Sequence, residues 1–204
     1  MTLLERIPRE TFHEGSIPVL ETKRLALRAP RLEDAKTVAA LANDRRIAEN
    51  TARIPHPYRM SDAESFITGA NKAGGEAVFL ITLRDETIVG ACGLVMQELK
   101  GQDPTPELGY WLGVPYWGKG YATQALHAVI DYAFTDLAYT ALQAGSRVTN
   151  PASRRVLEKC GFQWTGVGLY RIRAINSSAP IDRFRLERGI WSALKGWGRT
   201  KKVS

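Results

Sequence analysis

The repeat of apolar and polar positions changes period several times along the chain, and each change marks an element. Leu20 to Ala29 sets Leu25 and Leu27 on one side and Arg24 and Arg28 on the other, the two-residue repeat of a strand. Leu32 to Asn43 switches to helical spacing, with Leu32, Ala35, Val38, Ala39 and Ala42 on one face. Ser61 stands as the cap of a second helix ending near Lys72, and the intervening I-P-H-P-Y-R excludes helix because both prolines remove a donor and push the preceding residue extended. Ala77 to Leu83 and Thr87 to Glu98 predict a hairpin turning at Arg84 to Glu86, followed by an exposed K-G-Q-D-P-T-P loop.

Glu107 to Leu112 alternates again, with Leu108, Tyr110 and Leu112 opposite Glu107, Gly109 and Trp111. Gly113 to Gly120 reads as a turn. From Tyr121 the period becomes helical, since Ala122, Ala125, Leu126, Val129, Ile130, Ala133 and Phe134 share one face of a long helix. Thr140 to Val148 predicts another strand, and Asn150-Pro151 reads as the N-cap and first position of a short helix that Cys160-Gly161 ends. Gln163 to Ile175 and Arg183 to Glu187 complete the sheet around a loop at Ile175 to Pro180, and Ile190 to Trp197 forms a last helix. Trp191 and Trp197 fit core or dimer contacts better than ligand stacking. The pattern describes one α/β domain over residues 21–194, with an extension at 1–20, a basic tail at 195–204, and neither repeats nor low-complexity segments.

The strand, glycine turn and helix at 107–134 carry the clearest chemistry. Such a passage aims several backbone N–H groups, and the positive end of a helix dipole, at one spot, which is an anion site. Gly118 and Gly120 let a phosphate approach without meeting a Cβ. Gly113 to Gly120 satisfies the P-loop pattern G-x-x-x-x-G-K-[ST] except at Gly120, where the missing hydroxyl is the Mg²⁺ ligand. The dinucleotide pattern G-x-G-x-x-G would need glycine at Thr123.

Composition narrows the classes. With 204 residues, 44% of them hydrophobic and 24% charged, the chain can bury a full core. Charged residues at 5, 6, 9 and 10 interrupt any apolar leader, and no apolar run reaches membrane-spanning length, so a cytoplasmic location is expected. Cys92 and Cys160 lack metal spacing and read as buried reduced thiols. The three histidines are scattered, so neither a metal site nor a serine–histidine triad is expected. Residues 147–204 hold 13 Lys and Arg against three acids, a bias that suits an anionic ligand or RNA and equally a solvated tail.

Trp117 to Ala122 resembles the Q/R-x-x-G-x-G/A signature of the GNAT acyltransferases, with Trp117 in place of the usual Gln or Arg. The run G-Y-W-L-x-x-x-Y-W-G-K-G-Y-A-T is similar to the branch of ribosomal-protein N-terminal acetyltransferases, and Asn150 to Phe162 is similar to the family's N-x-x-S/A…K-x-G-F segment. The resemblance covers roughly residues 21 to 190 and implies a mixed, mostly antiparallel sheet flanked by helices. It implies acetyl-CoA as co-substrate, held by Leu112, Val114, Trp117, Gly118, Lys119, Gly120, Tyr121, Ala122, Thr123, Asn150 and Ser153. It implies transfer to a primary amine, on a protein N-terminus such as that of a ribosomal protein or on a small molecule, by a monomer or homodimer. Glu107 is the candidate base, or else a solvated strand carboxylate. The resemblance puts a backbone N–H near Val114 on the acetyl oxygen. The family's usual acid, a tyrosine seven residues after the Asn, is here Leu157, which leaves Ser153 as the candidate, with helix capping as its other role. A phosphate-binding module or NTPase on Gly113 to Gly120, and an RNA- or ribosome-associated protein, are the competing classes.

Overall fold

The computed structural model describes residues 17–70, 76–97 and 105–197. Within them one sheet runs β1-β2-β3-β4-β5-β6-β8-β7, with β1 at Leu20–Glu21, β2 at Leu25–Arg28, β3 at Glu76–Leu83, β4 at Ile88–Gln97, β5 at Thr105–Leu112, β6 at Ala141–Arg147, β7 at Gln163–Ile172 and β8 at Ser177–Glu187. All neighbours are antiparallel except β5 and β6. These two are parallel because the chain crosses over through helix α4 (Tyr121–Thr135) before entering β6. They pair only at Glu107 and Gln143, whereas β4 and β5 pair all the way from Gly90 and Leu112 to Gln97 and Thr105. The sheet therefore opens between β5 and β6, and Glu107 sits at the point of opening.

Helices cover both faces, as the expected mixed fold requires. All seven apolar positions read on α4 are buried, and they pack with Phe79 and Ile81 of β3 and with Leu157 of α5 (Pro151–Lys159) in the larger core. Leu80 points the other way, into a second core with Ala35, Val38 and Ala42 of α1 (Ala35–Ala42) and Ile67 of α3 (Met60–Ala70). A strand buried on both sides explains why A-V-F-L-I is apolar without alternation. The last helix, α6 (Arg188–Trp197), packs Trp191 on Phe134 with ring centroids 5.2 Å apart, and the Trp191 indole N–H donates to Asp131 Oδ1 at 2.8 Å. Among the described residues, regular structure runs from Leu20 to Trp197.

Local hydrogen bonds explain where the structure departs from the pattern. The first predicted strand is two, because Thr22 Oγ1 donates to the Leu25 carbonyl (3.1 Å) and accepts from its N–H (3.0 Å), folding β1 back onto β2. Leu32 is 66% exposed: the Asp34 carboxylate, gripped twice by the Arg28 guanidinium at 2.8 Å and by the Arg31 N–H at 2.7 Å, holds Leu32–Asp34 in a 3₁₀ turn ahead of α1. A single-turn helix α2 (Arg45–Ala48), too short to show a period, is opened by Asp44 accepting from the Arg46 N–H. Ser61 lies inside α3 rather than capping it, and Asp62 accepts from the Arg59 N–H there. Ser177 to Pro180 is strand rather than loop. The Pro180 carbonyl accepts from Val148 N–H past the last β6–β8 pair, so proline's missing N–H faces the same side and removes no ladder bond. The predicted helix end near Lys72, most of the K-G-Q-D-P-T-P loop, residues 1–16 and the 198–204 tail lie outside the described residues.

Candidate active site

Strand β5 delivers functional groups to both sides of the sheet opening, because successive side chains alternate faces. On one side is Glu107. Its Oε1 lies 3.6 Å from where a Cβ on Gly145 would stand, which puts the carboxylate against the backbone of β6. Burial pushes the Glu107 carboxyl above its usual range, and the cations of Arg53 and Arg183 partly offset that. Tyr170 of β7 shares this side, its hydroxyl raised by burial and by Glu107.

On the other side, the Tyr110 hydroxyl donates to Ser153 Oγ at 2.9 Å. Burial pushes the Tyr110 hydroxyl up to about 12, so it stays protonated at any physiological pH. Because Ser153 Oγ accepts this bond, its own proton is directed to another acceptor. The Ser153 N–H donates to Asn150 Oδ1 at 3.1 Å, so Asn150 is the N-cap of α5 and also places Ser153. Leu157, the position lacking the family's tyrosine, is fully buried in the core.

The loop lies at the end of β5. Val114–Tyr116 form a 3₁₀ turn, and Trp117 folds back so that its indole N–H donates to the Leu112 carbonyl at 2.7 Å. Gly118 and Gly120 have φ of 73° and 76°, the left-handed region that favours glycine. A Cβ on Gly118 would meet nothing within 4 Å, which leaves its approach open. The first intrahelical bond of α4 runs from Gln124 N–H to the Gly120 carbonyl (3.1 Å), so the N–H groups of Tyr121, Ala122 and Thr123 have no acceptor within the helix. Arg24 steadies the outer side, donating to the Lys119 carbonyl (2.9 Å) and Gln124 Oε1 (2.8 Å) while lying 4.8 Å over the Tyr121 ring. Open amides, a helix N-terminus and two cations, Lys119 and Arg24, suit a pyrophosphate.

A cleft of about 470 Å³ joins these parts. Of the residues expected at the site it is lined by Glu107, Leu112, Trp117, Gly118, Ala122, Asn150 and Ser153, while Val114, Lys119, Gly120, Tyr121 and Thr123 stand outside its wall. Cys92 also lines it. Both cysteines are free and buried, with thiols pushed up by burial, Cys160 to about 12, and neither suits a nucleophile. Among the described residues no group of acids, histidines and cysteines could hold a metal ion, and no helix is long and apolar enough to cross a membrane.

The sequence model of an acetyltransferase (GNAT) domain matches residues 24–163, a span from β2 to the start of β7 that contains the loop and both sides of the opening. The chain belongs to the GNAT acetyltransferase family. The N-acetyltransferase p20 of Bacillus licheniformis, itself uncharacterized, is 30% identical over 151 residues, covering 72% of this chain and 84% of that protein. Among solved structures, RimJ of Mycobacterium smegmatis in complex with CoA-disulfide has a TM-score of 0.71 at 21% identity, covering 86% of this chain and 90% of that one. The spermidine N-acetyltransferase of Vibrio cholerae, in complex with CoA and spermine, has a TM-score of 0.70 at 21% identity and covers 84% and 99%. These structural likenesses establish the GNAT fold, and membership of the family sets aside the NTPase reading of Gly113 to Gly120. Sequence reading missed Tyr110, Gly145, Tyr170 and Arg147. Two of them left a signal there, Tyr110 as part of the G-Y-W-L run and Gly145 as a glycine amid the polar face of β6.

Proposed function

We propose that this GNAT protein acetylates a primary amine by direct attack on acetyl-CoA, with the α-amine of a protein N-terminus as the acceptor. The observation that carries the reading is the convergence of Glu107, the Tyr110–Ser153 hydroxyl pair and the glycine loop on the opening between β5 and β6. Acetyl-CoA would bring an activated acyl group on a thiol leaving group. The amides of Gly118 to Thr123 would hold its pyrophosphate, with Leu112, Trp117 and Asn150 along its arm. Glu107 would take the proton of the attacking ammonium, and the Val114 N–H, in the first turn of the 3₁₀ segment, would donate to the acetyl oxygen. Ser153, held by the Tyr110 hydroxyl, would give its proton to the departing sulfur, and the second proton shed by the acylated nitrogen would return to Ser153 through water.

An α-amine, with a reference pKa of about 7.7 to 8.0, is partly neutral near pH 7 and asks less of a base than lysine near 10.4. A small-molecule amine is the second reading, favoured by a cleft volume of about 470 Å³, within the usual range for small ligands. Thiol release from acetyl-CoA, followed with panels of N-terminal peptides and of small amines, separates the two. Turnover confined to small amines removes the peptide acceptor.

A further inference from the structure

The acceptor side of the opening has an uneven charge. Glu107 is the one carboxylate among the described residues lining the cleft, against Arg46, Arg53 and Arg147. Arg46 is paired with Asp44 at 2.7 Å, which largely cancels it. Arg147 is different. Its Nη1 donates to the Glu49 backbone carbonyl at 2.8 Å, its Nε is buried with no acceptor, and among the described residues it has no ion pair. A buried guanidinium N–H without a partner is costly, and the guanidinium fork matches a carboxylate or phosphate edge.

Two more cations without ion pairs among the described residues surround the same end. Arg173 donates to the Arg53 carbonyl (3.5 Å) and lies near Tyr58, a cleft residue, and Arg183 lies 5.8 Å from the Tyr170 ring and acts on Glu107. Arg183 can lie there because Gly168 has no side chain; a Cβ would come within 2.3 Å of its guanidinium. The opposing acids are few. Asp62, near Tyr58, caps the Arg59 N–H, and Glu49 is paired with Arg45.

Register sets the spacing. Gln143, Gly145 and Arg147 alternate onto the same face of β6, less buried than the residues between them, and Glu107 lies over Gly145. Arg147 is one pleat repeat beyond Gly145, roughly 7 Å along the strand. An extended peptide whose amine sits at Glu107 covers that distance in about two residues.

The geometry points to an acceptor that carries an anionic group, carboxylate or phosphate, within about two residues of the reacting amine, held by Arg147 in the field of Arg173 and Arg183. This rests on the amine-acetylation reading of the same opening and narrows its substrate class. Polyamines, whose extra charges would face these arginines, are excluded by the same field.

The test compares kcat/KM for three peptides identical except for Asp, Ala or Lys at positions two and three, with glutamate, an aminoalkyl phosphate and spermidine as small-molecule arms. The expected order is Asp over Ala over Lys, with Asp ahead of Ala by roughly tenfold to a hundredfold, the range for a charge-assisted hydrogen bond. That advantage falls as ionic strength rises. Arg147→Ala should collapse the Asp-to-Ala ratio toward one, and Arg147→Lys, which keeps the charge and loses the fork, should restore part of it. If Arg147→Ala does not fold, the wild-type ratio and its salt dependence decide alone. Faster turnover of an anionic small amine than of any peptide keeps the anion site and moves the acceptor to small molecules. Equal rates on the three peptides, or preference for Lys or spermidine, overturn the anionic acceptor while amine acetylation stands. No acetylation of any amine overturns both.

Discussion

Replacing Glu107 with glutamine keeps the shape of the side chain over Gly145 and removes the carboxylate proposed as the base. The carboxamide occupies the same space, where Oε1 lies 3.6 Å from the Gly145 Cβ position, so packing changes little and the loss is one of chemistry. General-base catalysis is worth about 10² to 10⁴ in rate, or roughly 3 to 5 kcal/mol of barrier. Burial raises the Glu107 carboxyl above the usual value of 4.5, and the active form is the carboxylate. The wild-type rate therefore climbs as pH rises through that raised value, on a limb lying above pH 4.5. In Glu107→Gln that limb disappears and the residual rate follows the acceptor amine alone, whose reference pKa is about 7.7 to 8.0 for an α-amine. The deficit is then greatest below the amine's pKa and shrinks above it. Thiol release at saturating substrates from pH 5 to about 9.5, with melting temperatures alongside, measures both. A variant that keeps the acid limb and a rate within about threefold of wild type would refute Glu107 as the base.

Ser153→Ala should lower kcat more than acetyl-CoA affinity, and Tyr110→Phe should lower it less, by roughly tenfold, because Ser153 keeps a proton of its own; full rates in both would assign the sulfur's proton to water. Gly120→Val places a branched side chain at φ 76°, a strain of about 1 to 2 kcal/mol that an ordinary domain tolerates, and calorimetry should show acetyl-CoA binding weakened about tenfold or more in the folded variant. Phe134→Ala removes a fully buried ring packed on Trp191 and should cost about 3 to 5 kcal/mol in chemical denaturation, leaving acetyl-CoA affinity per folded molecule unchanged.

Where one periodicity governs a stretch, the sequence is a sufficient guide. The face of α4 and the Asn150-Pro151 opening of α5 are read directly from spacing, since local geometry alone sets them. The positive φ of Gly118 and Gly120 follows from the residue type and the turn they occupy. The hydroxyl pair is another matter, because Tyr110 and Ser153 are separated by 43 positions and meet only when the crossover lays α5 beside β5. Likewise, nothing local marks Arg147 as lying one pleat from the glycine beside Glu107, a relation fixed by the single Glu107–Gln143 pairing. The two strand errors share one cause. A threonine side chain that makes its own turn, and a proline whose missing N–H faces past a strand's end, act through hydrogen bonds that hydropathy does not register.

Direct transfer is the central claim, and intact-mass spectrometry of a single turnover tests it. The protein is mixed with equimolar acetyl-CoA, first alone and then with an acidic N-terminal peptide. The buried Cys92 and Cys160 thiols, both raised by burial, predict that the protein's own mass stays unchanged in the first sample. In the second, one acetyl group should appear on the peptide's α-amine as one equivalent of CoA is released. An acetylated protein that passes its acyl group on to the peptide, or CoA released with no acetyl on any amine, would contradict the account.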